Sequence, residues 1–248
     1  MKKFKSLAII LVIASLFSAC YMVKKSGDYY GIDTKSSKRI VYVIDISGSM
    51  EGKAETSLSG KVLSSATSKV GSTVGSKIGG TVGGIIGKET DNQLTKLGKA
   101  KKELMPSIRG LSEDSYFTII VFENSVKKLN KTLVQANATN KNLAIAYLEK
   151  LSSGGGTNMG DALEEAFGLA GAGAKDANAS LELDAIFVLG DGSPNEGKYP
   201  STDEILKKVE EWNSAKRVKI HTIGLGEDCD KVFMKKLAEQ NSGQFVDK

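Results

Sequence analysis

Short apolar runs alternate with helically spaced ones along most of the chain. Ile40 to Ile44 is an unbroken β-branched and aromatic run, similar runs recur at Tyr116–Phe122 and Ala185–Gly190, and Val218–Gly224 reads as a further strand of alternating pattern. Runs this short and continuous predict strands buried on both faces. Between them, Leu94, Leu97, Ala100, Lys101 and Leu104 fall at helical spacing and predict an amphipathic helix whose lysines form a solvated basic face. Further helices are predicted over Asn142–Leu151, Gly160–Gly171, Thr202–Ser214, capped by Ser201 or Thr202, and Asp230–Asn241, with Gly243 as the last one's stop signal. Val126–Leu129 reads as a short edge strand protected by its charges, and Gln244–Val246 as a final strand. The alternation predicts an α/β fold: a doubly wound, mostly parallel central sheet with helices on both faces.

The first long run ends in chemistry. After Ile44 come Asp45, Ser47 and Ser49 at alternate positions, with Gly48 between the hydroxyls. Alternate oxygens on a chain leaving a sheet can curl round one point, and one carboxylate with two hydroxyls makes a hard donor set. Such a set suits a divalent cation, magnesium first and calcium or manganese as alternatives, whereas zinc favours His and Cys. A magnesium ion bound by so few protein charges retains waters and can exchange one for an outside carboxylate.

Asp45, Ser47 and Ser49 resemble the first element of the metal-ion-dependent adhesion site of von Willebrand factor type A domains. In that family a Thr follows, opening a helix after a glycine-rich turn, and then an Asp after the next buried strand. Thr157, in Gly154-Gly155-Gly156-Thr157-Asn158-Met159, and Asp191, after Ala185–Gly190, stand in matching positions. The resemblance implies a metal site of Asp45, Ser47, Ser49, Thr157 and Asp191, with Asp191 commonly acting through water. It also implies a von Willebrand factor A-like fold over residues 38–248. The competing reading is that these polar groups only cap turns and helices. Asp161 is read as supporting its helix start, and Met50, Glu51, Asn158 and Asn195 as shaping partner choice.

Enzymatic motifs fail on particular residues. Gly87-Lys88 lacks a glycine five positions earlier, where Val82 stands, and Glu89 replaces the hydroxyl a phosphate loop needs. No Gly-x-Ser-x-Gly precedes a candidate serine, and the single histidine, His221, lies in a strand run as a packed residue. The chain is therefore read as a binding protein and not an enzyme. Its formal charge of +5 falls to +2 without Lys2, Lys3 and Lys5, so no nucleic-acid partner is expected.

Those three lysines, the apolar run Leu7–Phe17 and the small pair Ser18-Ala19 read as an export signal over residues 1–19. Leu16-Phe17-Ser18-Ala19-Cys20 resembles a bacterial lipobox, which implies a diacylated Cys20, with Phe17 departing from the usual Leu. Cys229, the other cysteine, is then a free thiol. Residues 20–37 are polar and aperiodic and read as a tether. A lipid-anchored protein of the bacterial envelope is implied, in the outer membrane if the host has two membranes.

Residues 54–92 form a Gly/Ser-rich insert. Within it Val70-Gly71, Val74-Gly75, Ile78-Gly79, Val82-Gly83 and Ile86-Gly87 recur every four residues. On a helix the glycines would sweep a stripe of about 160°, similar to a glycine zipper. Each glycine costs roughly 1 kcal/mol relative to alanine, so such a helix needs a partner or a membrane. A flexible loop and a zipper that self-associates through residues 70–87 both stand as readings. The insert's place just after the metal loop puts it beside the sheet's carboxyl edge, where it would flank or cover the site. The function expected is recognition of a protein partner's Asp or Glu carboxylate through the cation. The alternative is an envelope scaffold or a subunit of a transport or ATPase-linked complex.

Overall fold

A computed structural model describes residues 28–34, 36–53, 95–169, 183–192 and 194–248. The export signal, Cys20, the insert with its glycine repeat and the far end of the helix predicted to reach Gly171 lie outside the described residues.

The described chain opens with a hairpin of β1 (Asp28–Tyr29) and β2 (Ile32–Asp33). It continues through β3 (Arg39–Asp45), a 3-10 turn (Gly48–Glu51), α1 (Lys96–Arg109), β4 (Tyr116–Phe122), β5 (Val126–Lys128) and β6 (Val134–Gln135). Then follow α2 (Ala138–Glu149), α3 (Met159–Leu169), β7 (Ala185–Gly190), α4 (Thr202–Asn213), β8 (Lys219–Gly224), α5 (Lys231–Gln240) and β9 (Phe245–Asp247). The main sheet runs β5-β4-β3-β7-β8-β9, with β6 also pairing β4. Strands β4, β3, β7, β8 and β9 are parallel; β5 and β6 join β4 antiparallel.

The mostly parallel, doubly wound sheet is thus present, and its central strands are buried along their length, as parallel strands with helices on both faces must be. One face carries Tyr42, Ile44, Ile119 and Phe187 under α1 and α2. The other carries Val41, Val43, Ile186 and Val188 under α3, α4 and α5. Alternate residues of one strand serve opposite cores. Strand order reverses between β3, which leads on to β4, and β7 on its other side. Open α/β sheets place ligands at the carboxyl edge of such a switch point.

Four local expectations differ. Residues 28–33, read as tether, form the hairpin; Tyr29 and Ile32 are buried against the sheet, Tyr29 edge-on to Tyr42 at 5.5 Å and Phe187 at 5.7 Å. Two aromatics among polar residues carry no period, so the pattern hid them. Helix α2 starts at Ala138, four residues early, because Asn137 caps it by accepting from the Asn140 amide. Helix α1 runs on past Leu104 through Pro106 to Arg109. At the end of α5 the left-handed position is taken by Ser242, at φ 55°, rather than Gly243.

Candidate metal centre

Asp45 is the last residue of β3, level with the end of β7, and it is fully buried. The approach is possible because Gly190 ends β7: a Cβ there would stand 2.7 Å from Asp45 Cβ and 2.8 Å from its Oδ2. Asp45 Oδ1 accepts from the Ser47 amide at 2.7 Å, closing a short turn. Burial pushes the Asp45 carboxyl up to about 7; the Ser47 hydroxyl opposes this, and the neighbouring charge of Asp191 adds to it.

The hydroxyls follow the carboxylate at alternate chain positions. Ser47 Oγ and Ser49 Oγ are 2.9 Å apart. Ser47 precedes the 3-10 turn but its side chain makes no capping bond there, which argues against a capping role. The glycine turn before α3 is stitched to this loop: the Gly48 amide donates to Gly155 O at 3.0 Å and the Gly154 amide to Ile46 O at 2.9 Å. Thr157, buried, follows directly. Its amide donates to Asn195 Oδ1 at 2.8 Å, and the Asn195 amide returns a bond to Thr157 O at 3.1 Å.

Asp191 is buried just past β7. One of its oxygens, Oδ2, is 3.7 Å from Lys96 Nζ. Its Oδ1, like Asp45 Oδ2, is buried with no hydrogen-bond partner; these are the only carboxylate oxygens so placed among the described residues. Unpartnered buried carboxylate oxygens cost several kcal/mol unless something compensates them. A divalent cation is the compensation that matches carboxylates, hydroxyls and no nitrogen or sulfur. The residues present therefore fit a hard metal ion. Among the described residues no group of three or more His, Cys, Asp or Glu gathers for a metal, and this site offers two carboxylates with hydroxyls.

The structure brings the five sequence-predicted positions to one edge of the sheet, but it redistributes their neighbours. Met50 is fully buried and Asn158 nearly so, so neither can face a partner; Glu51 is exposed. Asn158 instead caps α3, its Oδ1 receiving the Asp161 amide and its Nδ2 donating to Asp161 Oδ2 at 3.0 Å. Asp161 also accepts from the Lys198 amide, so it supports the helix start. Lys96 is not part of a solvated face: it is 3% exposed. Asn195, read as shaping partner choice, is exposed and also accepts from the Thr157 amide. His221 is packed as expected, stacked on Phe187 at 4.8 Å with Nδ1 accepting from the Gln244 amide. Cys229 is a free, buried thiol, and burial pushes it up to about 12.

The sequence profile of the von Willebrand factor type A domain matches residues 91–247, more than half of the chain. The chain belongs to the von Willebrand factor type A family. Domains of this family often bind a divalent cation at the adhesion-site motif and typically mediate protein–protein interaction. The profile match begins at residue 91, so Asp45, Ser47 and Ser49 lie outside it. Inter-alpha-trypsin inhibitor heavy chain H1 of Sus scrofa is 25% identical over 216 residues, covering 85% of this chain and 19% of that protein. Heavy chain H2 of Homo sapiens is 28% identical over 149 residues, 58% of this chain and 15% of that one. The chain thus spans less than a fifth of these relatives' length. Among solved structures, a von Willebrand factor type A protein from Catenulispora acidiphila superposes with a TM-score of 0.57 at 18% identity, covering 86% of this chain and 39% of that one. The conserved hypothetical protein BatB from Bacteroides thetaiotaomicron gives 0.51 at 15%, covering 84% and 89%. At such identities the type A fold is what is shared.

Proposed function

We propose that this chain is a non-enzymatic bacterial envelope lipoprotein, anchored through Cys20, whose type A domain binds a protein partner through a divalent cation. The observation that carries the reading is the pair of orphaned, buried oxygens, Asp45 Oδ2 and Asp191 Oδ1, beside the linked hydroxyls of Ser47 and Ser49. Asp45, Ser47, Ser49 and Thr157 would hold the ion, magnesium in the first instance, with Asp191 acting through water. When bound, the ion supplies one exchangeable position for an Asp or Glu carboxylate of the partner. The protein's own part is to keep the hydroxyls unengaged by caps, to fix the Thr157 loop through Asn195, and to bury the carboxylates away from bulk water. Envelope placement rests on the signal and lipobox pattern. Among the described residues no helix is long and apolar enough to cross a membrane.

Capture of envelope proteins by the purified chain beginning at Tyr21, in magnesium and then in chelator, tests this together with Asp45→Ala. A partner lost in chelator and in the variant supports the reading. A partner retained in both shifts the binding surface away from the cation.

A second reading, a scaffold that assembles through residues 70–87, has one structural support. Lys53 and Thr95 bridge antiparallel, and the Lys96 amide donates to Gly52 O at 2.9 Å. The described residues on either side of that segment therefore meet beside the metal loop. Deleting residues 54–92 would abolish assembly on this reading and spare cation-dependent capture on the first.

A further inference from the structure

Lys96 is placed against its own electrostatics twice over. It is the first residue of α1, where the free amides carry partial positive charge, and no acidic residue in that turn offsets it. It is also 3% exposed, although lysine is almost never buried unless paired. Compensation comes from two carboxylates on two other loops. Its Nζ hydrogen-bonds to Asp228 Oδ1, beyond β8, and stands 3.7 Å from Asp191 Oδ2, beyond β7.

The chain makes room for this. Gly226, at φ +88°, lies under the lysine stem, and a Cβ there would stand 2.6 Å from Lys96 Cε. The bond from the Lys96 amide to Gly52 O ties the start of α1 to the end of the metal loop. Pairing with Asp228 alone, whose side chain is 63% exposed, would not require a buried ammonium. The buried ammonium also stands 3.7 Å from the Asp191 carboxylate, whose other oxygen has no partner and whose charge acts on Asp45.

We propose that Lys96 is a resident cation of the metal centre, a positioning residue that offsets the charge of Asp191. The inference rests on the cation reading of the site. Asp45 and Asp191 alone would present two negative charges to a divalent ion; Lys96, whose charge is shared with the exposed and solvent-screened Asp228, offsets part of one. A site of lower charge holds the ion less tightly and leaves it with more unneutralised charge for an external carboxylate. Lys96 thereby sets the balance between retaining the metal and recognising an acidic partner.

The test is calorimetric titration of Mn2+ into the purified chain and into Lys96→Met, Lys96→Arg and Asp228→Asn, each first checked for cooperative melting in chelator. Loss of the buried charge in Lys96→Met is expected to tighten Mn2+ binding at least ~10-fold, while the charge-keeping Lys96→Arg stays within ~3-fold of the parent. Asp228→Asn, an exposed change, is expected to weaken binding several-fold, because the whole ammonium charge then falls on Asp191. Parent-like or weaker binding by folded Lys96→Met overturns the proposal. If Lys96→Met does not fold, Asp228→Asn decides, and unchanged affinity there overturns it. A parent chain that binds no Mn2+ defeats the cation reading itself, a result distinct from binding that ignores position 96.

Discussion

Thr157 and Asn195 hold each other by two hydrogen bonds: the Thr157 amide donates to Asn195 Oδ1 at 2.8 Å, and the Asn195 amide donates to Thr157 O at 3.1 Å. The pair joins the turn before α3 to the loop after β7, so the position of one proposed ligand depends on the loop that carries another. Asn195→Ala removes the side-chain half of the clamp while Asn195 itself is exposed. The expected outcome is a loss of about 0.5–1.5 kcal/mol in stability, the worth of one ordinary hydrogen bond. Cation affinity should fall several-fold with it, read by titration calorimetry beside a thermal melt. Unchanged affinity would remove Asn195 from the site.

Asp45 gives a prediction of opposite sign in two conditions. In chelator its buried charge has an orphaned oxygen and Asp191 beside it, so Asp45→Asn, which keeps the Oδ1 acceptor for the Ser47 amide, should melt no lower than the parent. In magnesium the parent should gain about 2.7 kcal/mol at a hundredfold excess over the dissociation constant, and the variant close to nothing. Melts of both proteins with and without magnesium make the comparison. A variant that gains as much as the parent would show that Asp45 is not a ligand.

What was legible in the sequence followed from period and from motif. The continuous runs Ile40–Ile44 and Ala185–Leu189 announced central parallel strands, because strands buried on both faces leave no room for alternation. The five oxygen-bearing positions were legible because strand ends and a glycine turn place them. The support beneath them was not. Lys96 looks like any helix-surface lysine until Asp191 and Asp228 arrive from loops 95 and 132 residues away in sequence. Met50 and Asn158 sit next to ligands in sequence, yet the 3-10 turn and the helix cap send them inward. Proximity along the chain does not report side-chain direction; tertiary contacts decide it.

The hairpin of residues 28–33 carries a prediction about where the folded unit begins. Tyr29 is 1% exposed and touches Tyr42 and Phe187 edge-on. Tyr29→Ala should cost about 3–5 kcal/mol, the usual range for emptying a buried aromatic site. A chain starting at Thr34 loses Ile32 as well and should melt lower still, whereas one starting at Tyr21 should melt like the parent. Urea unfolding of these three proteins and the parent reads this directly. Equal midpoints would return these residues to the role of a tether.

His221 supplies the pH dependence. Burial, with Lys219 nearby, lowers it from 6.5 to about 4, and the neutral ring stacks on Phe187 while Nδ1 accepts from the Gln244 amide. Between those two values the unfolded chain binds a proton that the folded chain does not, so stability rises with pH through this window. The contribution is complete above about pH 6.5 and is lost as pH falls toward about 4, where the folded ring is also protonated. After discounting for solvent screening it amounts to on the order of 1–2 kcal/mol. His221→Gln, which keeps an acceptor for the Gln244 amide but cannot titrate, should flatten the slope of stability against pH over that window while leaving the steeper acid limb below it. Urea midpoints at pH 7, 6, 5 and 4 for both proteins provide the measurement, and parallel curves would assign the acid sensitivity to carboxylates instead.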